Sequence, residues 1–183
     1  MKTIIYFITF IFLSMTVLSN SLNERLEKAR KFYYEATQNS KKADLAIKYF
    51  IELKRIDAGL SSLADTYIGS LTAVKARDEF FPWKKFELAN DGIEIMEKAI
   101  KSDPNNIEAL FIYGSTCYYL PFFFGKSNDA ETQLKRIIHL LNDKSLNQYS
   151  QDLLKNVLTF IKDNIKLSPA EIKKADDLLG RLG

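Results

Sequence analysis

Nucleophilic catalysis needs a base beside the nucleophile, and this sequence supplies few candidates for either role. There is one histidine, His139, and one cysteine, Cys117, in 183 residues. His139 lies between Ile138 and Leu140 with no serine or cysteine motif near it, so it reads as a partly exposed helical side chain rather than a general base. Cys117 falls where an aromatic would face a neighbouring helix, which predicts a buried, inert thiol. Metal chemistry has no better support. Histidine and cysteine do not cluster, and Glu94 with Glu97, or Asp176 with Asp177, have the spacing of ordinary acids on a helix surface. Nothing places two carboxylates across a cleft, as glycoside hydrolysis requires. Gly69, Gly92 and Gly114 are isolated within helical stretches, so no phosphate-cradling loop is present. The sequence predicts a non-catalytic protein without a metal or a cofactor.

What the chain offers instead is aromatic surface. Residues 77–86 read RDEFFPWKKF, and residues 119–126 read YLPFFFGK. Phe80, Phe81, Trp83, Phe122, Phe123 and Phe124 are therefore candidate anchors of a rim or pocket for a partner, because aromatic side chains dominate interface hot spots. The competing expectation is that these rings fold back under the helices as satellite cores, and for most of the six the sequence favours that packing role. Gly125 supplies the backbone freedom needed to leave the phenylalanine run. Lys75, Arg77, Lys84 and Lys85 beside the first stretch could steer an acidic partner or form an ordinary solvated face.

The elements that must position these rings read as helices. Only seven glycines and four prolines occur, and apolar residues recur at intervals of three and four through nearly every segment, with no strand alternation. The spacing predicts helices near 22–38, 42–56, 58–79, 86–102, 106–120, 129–142, 146–165 and 169–182. At residues 102–106, SDPNN stops one helix at Pro104 and offers Asn106 to cap the next. Asn128 with Glu131, and Ser168 with Glu171 around Pro169, have the spacing of capping boxes.

Helix pairs joined by turns suggest a repeat. Leu60, Leu63, Ala64 and Tyr67 fit the first helix of a tetratricopeptide (TPR) unit, in which a small residue lets a second helix approach. Leu110, Tyr113, Gly114 and Cys117 fit the same slots less perfectly. Second helices carry Gly92, Met96 and Ala99, then Ala130 and Leu134, and a weaker first pair runs through Leu26, Ala29, Tyr33, Ala46 and Phe50. In a standard unit about 12 residues separate the two small slots. Here Ala64 and Gly92 are 28 positions apart, and Gly114 and Ala130 are 16 apart. The excess in both cases is the aromatic, proline-containing stretch, so the two stretches read as equivalent insertions on one side of a solenoid.

Composition sets the remaining bounds. With 46% hydrophobic residues, the chain is long enough for one domain with a sizeable core. A net charge of +3, with the charges interspersed, does not call for nucleic acid or an anionic membrane. Met1 and Lys2, the apolar run from Ile4 to Leu18, and Ser19, Asn20 and Ser21 read as a signal peptide cleaved near Ser21, with membrane contact expected only if that segment stays uncleaved. A single cysteine excludes an internal disulfide framework. Residues 1–21 are thus assigned to the signal peptide and residues 22–183 to one helical domain.

The signal segment, KFYYEA at 31–36, the 67–86 stretch ending in FFPWKKF, KAIKSDPNNIEALF at 98–111, PFFFGK at 121–126 and LSPAEIKKA at 167–175 together resemble an uncharacterised family of small exported bacterial proteins with TPR-like repeats. The resemblance implies an all-α fold of two to three TPR-like helix pairs closed by a C-terminal capping helix, periplasmic or secreted. It further implies a protein- or peptide-binding scaffold. The alternative is a carrier that holds a small apolar ligand in a cavity lined by the aromatic loops.

Overall fold

The helical periodicity is realised along the chain. In the computed structural model, which describes residues 21–182, all regular structure is helical, and no strand occurs among the described residues. Apart from Ser21, the segment read as a signal peptide lies outside the described residues. No helix among them is long and apolar enough to cross a membrane.

The first helix, α1, spans 21–38. It is followed by α2 (Ala43–Ile56), α3 (Ser61–Asp78), α4 (Pro82–Ser102), α5 (Ile107–Tyr119), α6 (Ser127–Leu140), a single turn α7 (Asp143–Leu146), α8 (Gln151–Asn164) and α9 (Pro169–Leu182). Short 3-10 turns at Ser40–Lys42, Ala58–Leu60 and Phe122–Phe124 fill three of the connections.

Local chemistry accounts for most of the boundaries. The Asn106 side chain accepts the amide of Ala109 at 3.0 Å. Ser168 and Glu171 form the expected box: the Ser168 hydroxyl accepts the Glu171 amide at 3.3 Å, and the Glu171 carboxylate accepts the Ser168 amide at 2.7 Å. A second box, between Asn142 and Ser145, starts the unexpected single turn α7, and the helix expected over 146–165 begins only at Gln151, where the Ser150 hydroxyl accepts the Leu153 amide at 3.3 Å. The box expected at Asn128 does not form. α6 begins at Ser127, with Lys126 as its first flanking residue and no side-chain cap. The helix expected from 86 begins at Pro82, whose missing N–H costs nothing in a first turn.

Helix directions follow from the contacts. Arg30 meets Glu108, Tyr33 meets Ser70, Arg77 meets the carbonyl of Thr37, Ser70 meets Thr116 and Phe111 meets Phe160. The Ile107 amide also donates to the Tyr149 hydroxyl just ahead of α8 at 3.3 Å, and residue numbers rise together in these pairs, so α1, α3, α5 and α8 run parallel. The helices between them run the opposite way: Lys75 pairs with Asp44 and Lys54 with Asp65, Ser62 bonds the carbonyl of Ala99, and Arg136 reaches Asn105. α9 follows the direction of α6, with Glu171 near His139 and Arg181 on Asp143.

Two large apolar cores result, with a smaller cluster of Met96, Tyr113, Cys117 and Ala130 between α4, α5 and α6. The first joins α1, α2 and α3 around Phe50, Tyr67 and Leu71, with the Phe50 and Tyr67 rings stacked at 4.4 Å. The second joins α6, α8 and α9 around Leu134, Ile138, Leu154, Leu158 and Leu178. α5 serves both, turning Ala109 and Ile112 to the first and Ile107 and Leu110 to the second. Each of its buried Leu or Ile side chains contributes about 1.5–3 kcal/mol. α9 covers the second core through Ala175, Leu178 and Leu182, with Ile172 left exposed.

Candidate functional site

The six candidate rings do not fold back into a core. Phe80 and Phe122 are 84% and 86% exposed, Trp83 and Phe123 are also largely exposed, Phe81 less so, and only Phe124 is half-buried. The packing role favoured by the sequence therefore fails for most of them, because the turns carry the rings beyond the ends of the helices they join. The two stretches also differ in conformation. The first is helical at both ends, with a turn of three residues between Asp78 and Pro82. The second is a loop whose only positive φ is at Gly125, at 67°. The equivalence expected between them holds for position and fails for shape.

Ring contacts nevertheless unite the two stretches. Phe81 stacks on Trp83 at 4.7 Å and meets Phe80 edge-on at 5.2 Å. Phe86 stacks on Phe124 at 5.2 Å, and Phe124 leads on to Phe123 at 4.8 Å and to Phe122 at 6.0 Å from Phe123. Phe86 is one helical turn beyond Trp83, so the group of Phe80, Phe81 and Trp83 and the group of Phe86, Phe124, Phe123 and Phe122 lie side by side along one edge. Sequence reasoning does not single out Phe86, because it becomes a neighbour of Trp83 only once the helix starts at Pro82. Tyr118 and Tyr119 add further exposed rings around Phe160.

The loop is held by Lys126. Its ammonium reaches Glu97 at 2.6 Å and Asp129 at 3.1 Å, and the Glu97 hydrogen bond, partly opposed by desolvation, raises its pKa above the ordinary value. Tyr113 donates to the same two carboxylates at 3.3 and 3.5 Å.

A second surface was not foreseen. A groove of about 890 Å3 runs between α1 and the α7–α8 segment, floored by the starts of α3 and α5. Its floor holds a buried ionic network. Arg30 donates through Nε to Glu108 at 2.6 Å and through Nη2 to the other carboxylate oxygen, and its Nη1 binds Glu27 at 2.5 Å. Tyr67 donates to Glu108 at 2.5 Å. Burial alone would lower the Arg30 pKa, but the hydrogen bond and charge of Glu108 outweigh it and raise the value. Burial, followed by the charge of Glu108, pushes the Tyr67 hydroxyl well above its usual range. Three of the five guanidinium N–H groups are thus committed to carboxylates within the protein. Along the walls, the side-chain amides of Asn23, Gln38, Gln148 and Asn156 make no hydrogen bond among the described residues, and Tyr34 and Leu153 supply apolar surface. Glu108 carried a possible signal, as an acid in the first turn of an otherwise apolar helix segment, IEALFIYG.

The residues weighed for catalysis are not brought together. His139 is exposed at 3.5 Å from Glu171, Cys117 is buried on α5, and Glu94 is paired with Lys98 at the surface. No group of three metal-ligating side chains exists among the described residues. Two smaller depressions accompany the groove, one between α1 and α2 and one around Glu97, Tyr113 and Arg136; none of the three is lined by any of the six candidate rings.

No protein family profile, curated protein or solved structure matches the chain. The resemblance to TPR-like repeats accordingly rests on the residues quoted above.

Proposed function

We propose that the chain is a non-catalytic, exported TPR-like helical-repeat scaffold that binds a peptide or an extended protein segment in the groove between α1 and α8. The observation that carries this reading is the row of uncommitted amides. An extended backbone presents alternating N–H and C=O groups, and a side-chain amide can donate to one and accept from the other. Asn23, Gln38, Gln148 and Asn156 stand along the walls without internal partners, while Arg30 and Glu108 spend their charges on each other and stiffen the floor. The parallel set α1, α3, α5 and α8 matches the way first helices of successive TPR-like pairs line an inner face.

The test is selection of random displayed peptides on the purified protein, followed by fluorescence anisotropy with the enriched peptides. Asn156→Ala combined with Gln38→Ala is expected to weaken binding about tenfold, with the melting temperature unchanged. Enriched peptides that bind this variant as well as the wild type would remove the groove from the reading, and failure to enrich any peptide would count against the scaffold itself.

A further inference from the structure

The exposed aromatic edge calls for a different partner from the groove. Its most exposed rings, Phe80 and Phe122, sit at the tips of two neighbouring turns, and stacking of Phe86 on Phe124 fixes those turns to each other. These rings stand out into solvent. Anchor residues of a protein interface are typically enclosed by a pocket and a surrounding rim, and the three depressions described above lie elsewhere. A bilayer provides the enclosure itself, and aromatic rings flanked by lysine suit its interfacial layer.

The charge pattern agrees. Within residues 80–86 and 118–126 the charged side chains are Lys84, Lys85 and Lys126, all cationic. The neighbouring acids other than Glu87 are engaged: Asp78 with Ser40 and Arg77, Glu79 with the amides of Phe80 and Phe81, and Glu97 and Asp129 with Lys126. Lys84 has no charge partner among the described residues, and the Lys85 ammonium donates to the carbonyl of Arg77 at 3.1 Å. Two cations, Lys84 and Lys85, are left beside the rings against one exposed carboxylate, Glu87, a balance that still favours lipid phosphate.

We propose that this edge seats the folded domain on an anionic phospholipid bilayer, with Phe80, Trp83, Phe122 and Phe123 entering the interfacial layer and Lys84 and Lys85 against the phosphates. Contact of this kind is independent of residues 1–21, in contrast to the sequence expectation that only that segment meets a membrane.

Trp83 is the sole tryptophan, so its fluorescence reports on this edge alone even in the full chain. With vesicles of phosphatidylcholine and phosphatidylglycerol, its emission is expected to shift to the blue and to be quenched by brominated acyl chains. Phe80→Ser with Phe122→Ser is expected to reduce the partition coefficient read from that shift by about tenfold or more, since each substitution withdraws one ring from the interface. Both positions are solvated, so the melting curve should be unchanged. Lys84→Glu with Lys85→Glu should weaken binding to the anionic vesicles several-fold and leave binding to pure phosphatidylcholine nearly unaltered. The proposal is overturned by Trp83 emission indifferent to vesicles, by a shift that persists in the double Phe variant, or by a shift that appears without lipid as protein concentration rises, which would assign the edge to a second copy of the chain.

Discussion

Gly69 on α3 and Gly92 on α4 face each other at the point where the two helices cross: a Cβ on Gly69 would lie 2.6 Å from the Gly92 carbonyl oxygen, and a Cβ on Gly92 would lie 2.4 Å from that of Gly69. Both obstacles are backbone and cannot swing away. Gly69→Ala or Gly92→Ala should therefore destabilise the fold at or beyond the upper end of the usual overpacking cost of about 1–3 kcal/mol, read by urea denaturation. Gly114→Ala meets the movable side chain of Leu134 and should cost less, while Gly180→Ala meets nothing within 4 Å and should be neutral or slightly stabilising. Equal effects at all four positions would mean that the crossing is not tight.

Glu108 is 1% exposed and holds Arg30 and Tyr67 together. Glu108→Ala should cost about 3 kcal/mol, because it leaves the Tyr67 hydroxyl without a partner and the Arg30 guanidinium with only the exposed Glu27; the low end of the range for buried pairs applies because 21% of the Arg30 side chain is exposed. Tyr67→Phe should cost about 1 kcal/mol. A loss below 1 kcal/mol for Glu108→Ala in chemical denaturation would show the network to be dispensable for folding.

Burial pushes the Cys117 thiol up to about 12, only partly offset by its hydrogen bond with Tyr113. At pH 8 the native protein should consequently react with a thiol reagent roughly a thousandfold more slowly than a free cysteine. Labelling in denaturant should be fast. Rapid modification of the native chain would contradict the buried placement on α5.

The amide and hydroxyl of Ser168 hold the Glu171 carboxyl below its ordinary pKa. A carboxylate whose folded value is depressed contributes stability above its unfolded pKa of about 4.3, and that contribution disappears as pH falls through the lower folded value. Glu35, Asp78 and Glu94 are depressed as well and add to the same acid slope. Melting temperatures from pH 6 to pH 3 should thus fall less steeply for Glu171→Gln than for the wild type; parallel curves would exclude the cap as a contributor.

The all-α class and most helix positions were legible because the apolar spacing and the caps at Asn106 and Ser168 are local signals. The start of α4 was misplaced because FFPWKKF looks like a loop by composition, although Pro82 is well suited to a first helical turn. Exposure of the rings was beyond reach for a related reason: it depends on where the turn projects, and that shifted with the helix start. The groove was missed because its members come from α1, α3, α5, α8 and the link that precedes α8, and no short stretch contains the pattern. Gly92 was recognised as a small residue on a second helix, but its partner is Gly69 rather than Ala64, since α3 and α4 are both longer than standard repeat helices.

The position of α5 between the two cores has a consequence for the order in which the chain can acquire structure. Ala109 and Ile112 complete the core built from α1, α2 and α3, so on a chain emerging from its N-terminus that core stays open until the residues through Tyr119 have appeared. At that moment Ile107 and Leu110 on the same helix are still bare, and they remain so until α6, α8 and α9 arrive. A half-finished chain must carry an apolar seam, and the longest delay in hiding it falls on the helix that joins the two halves.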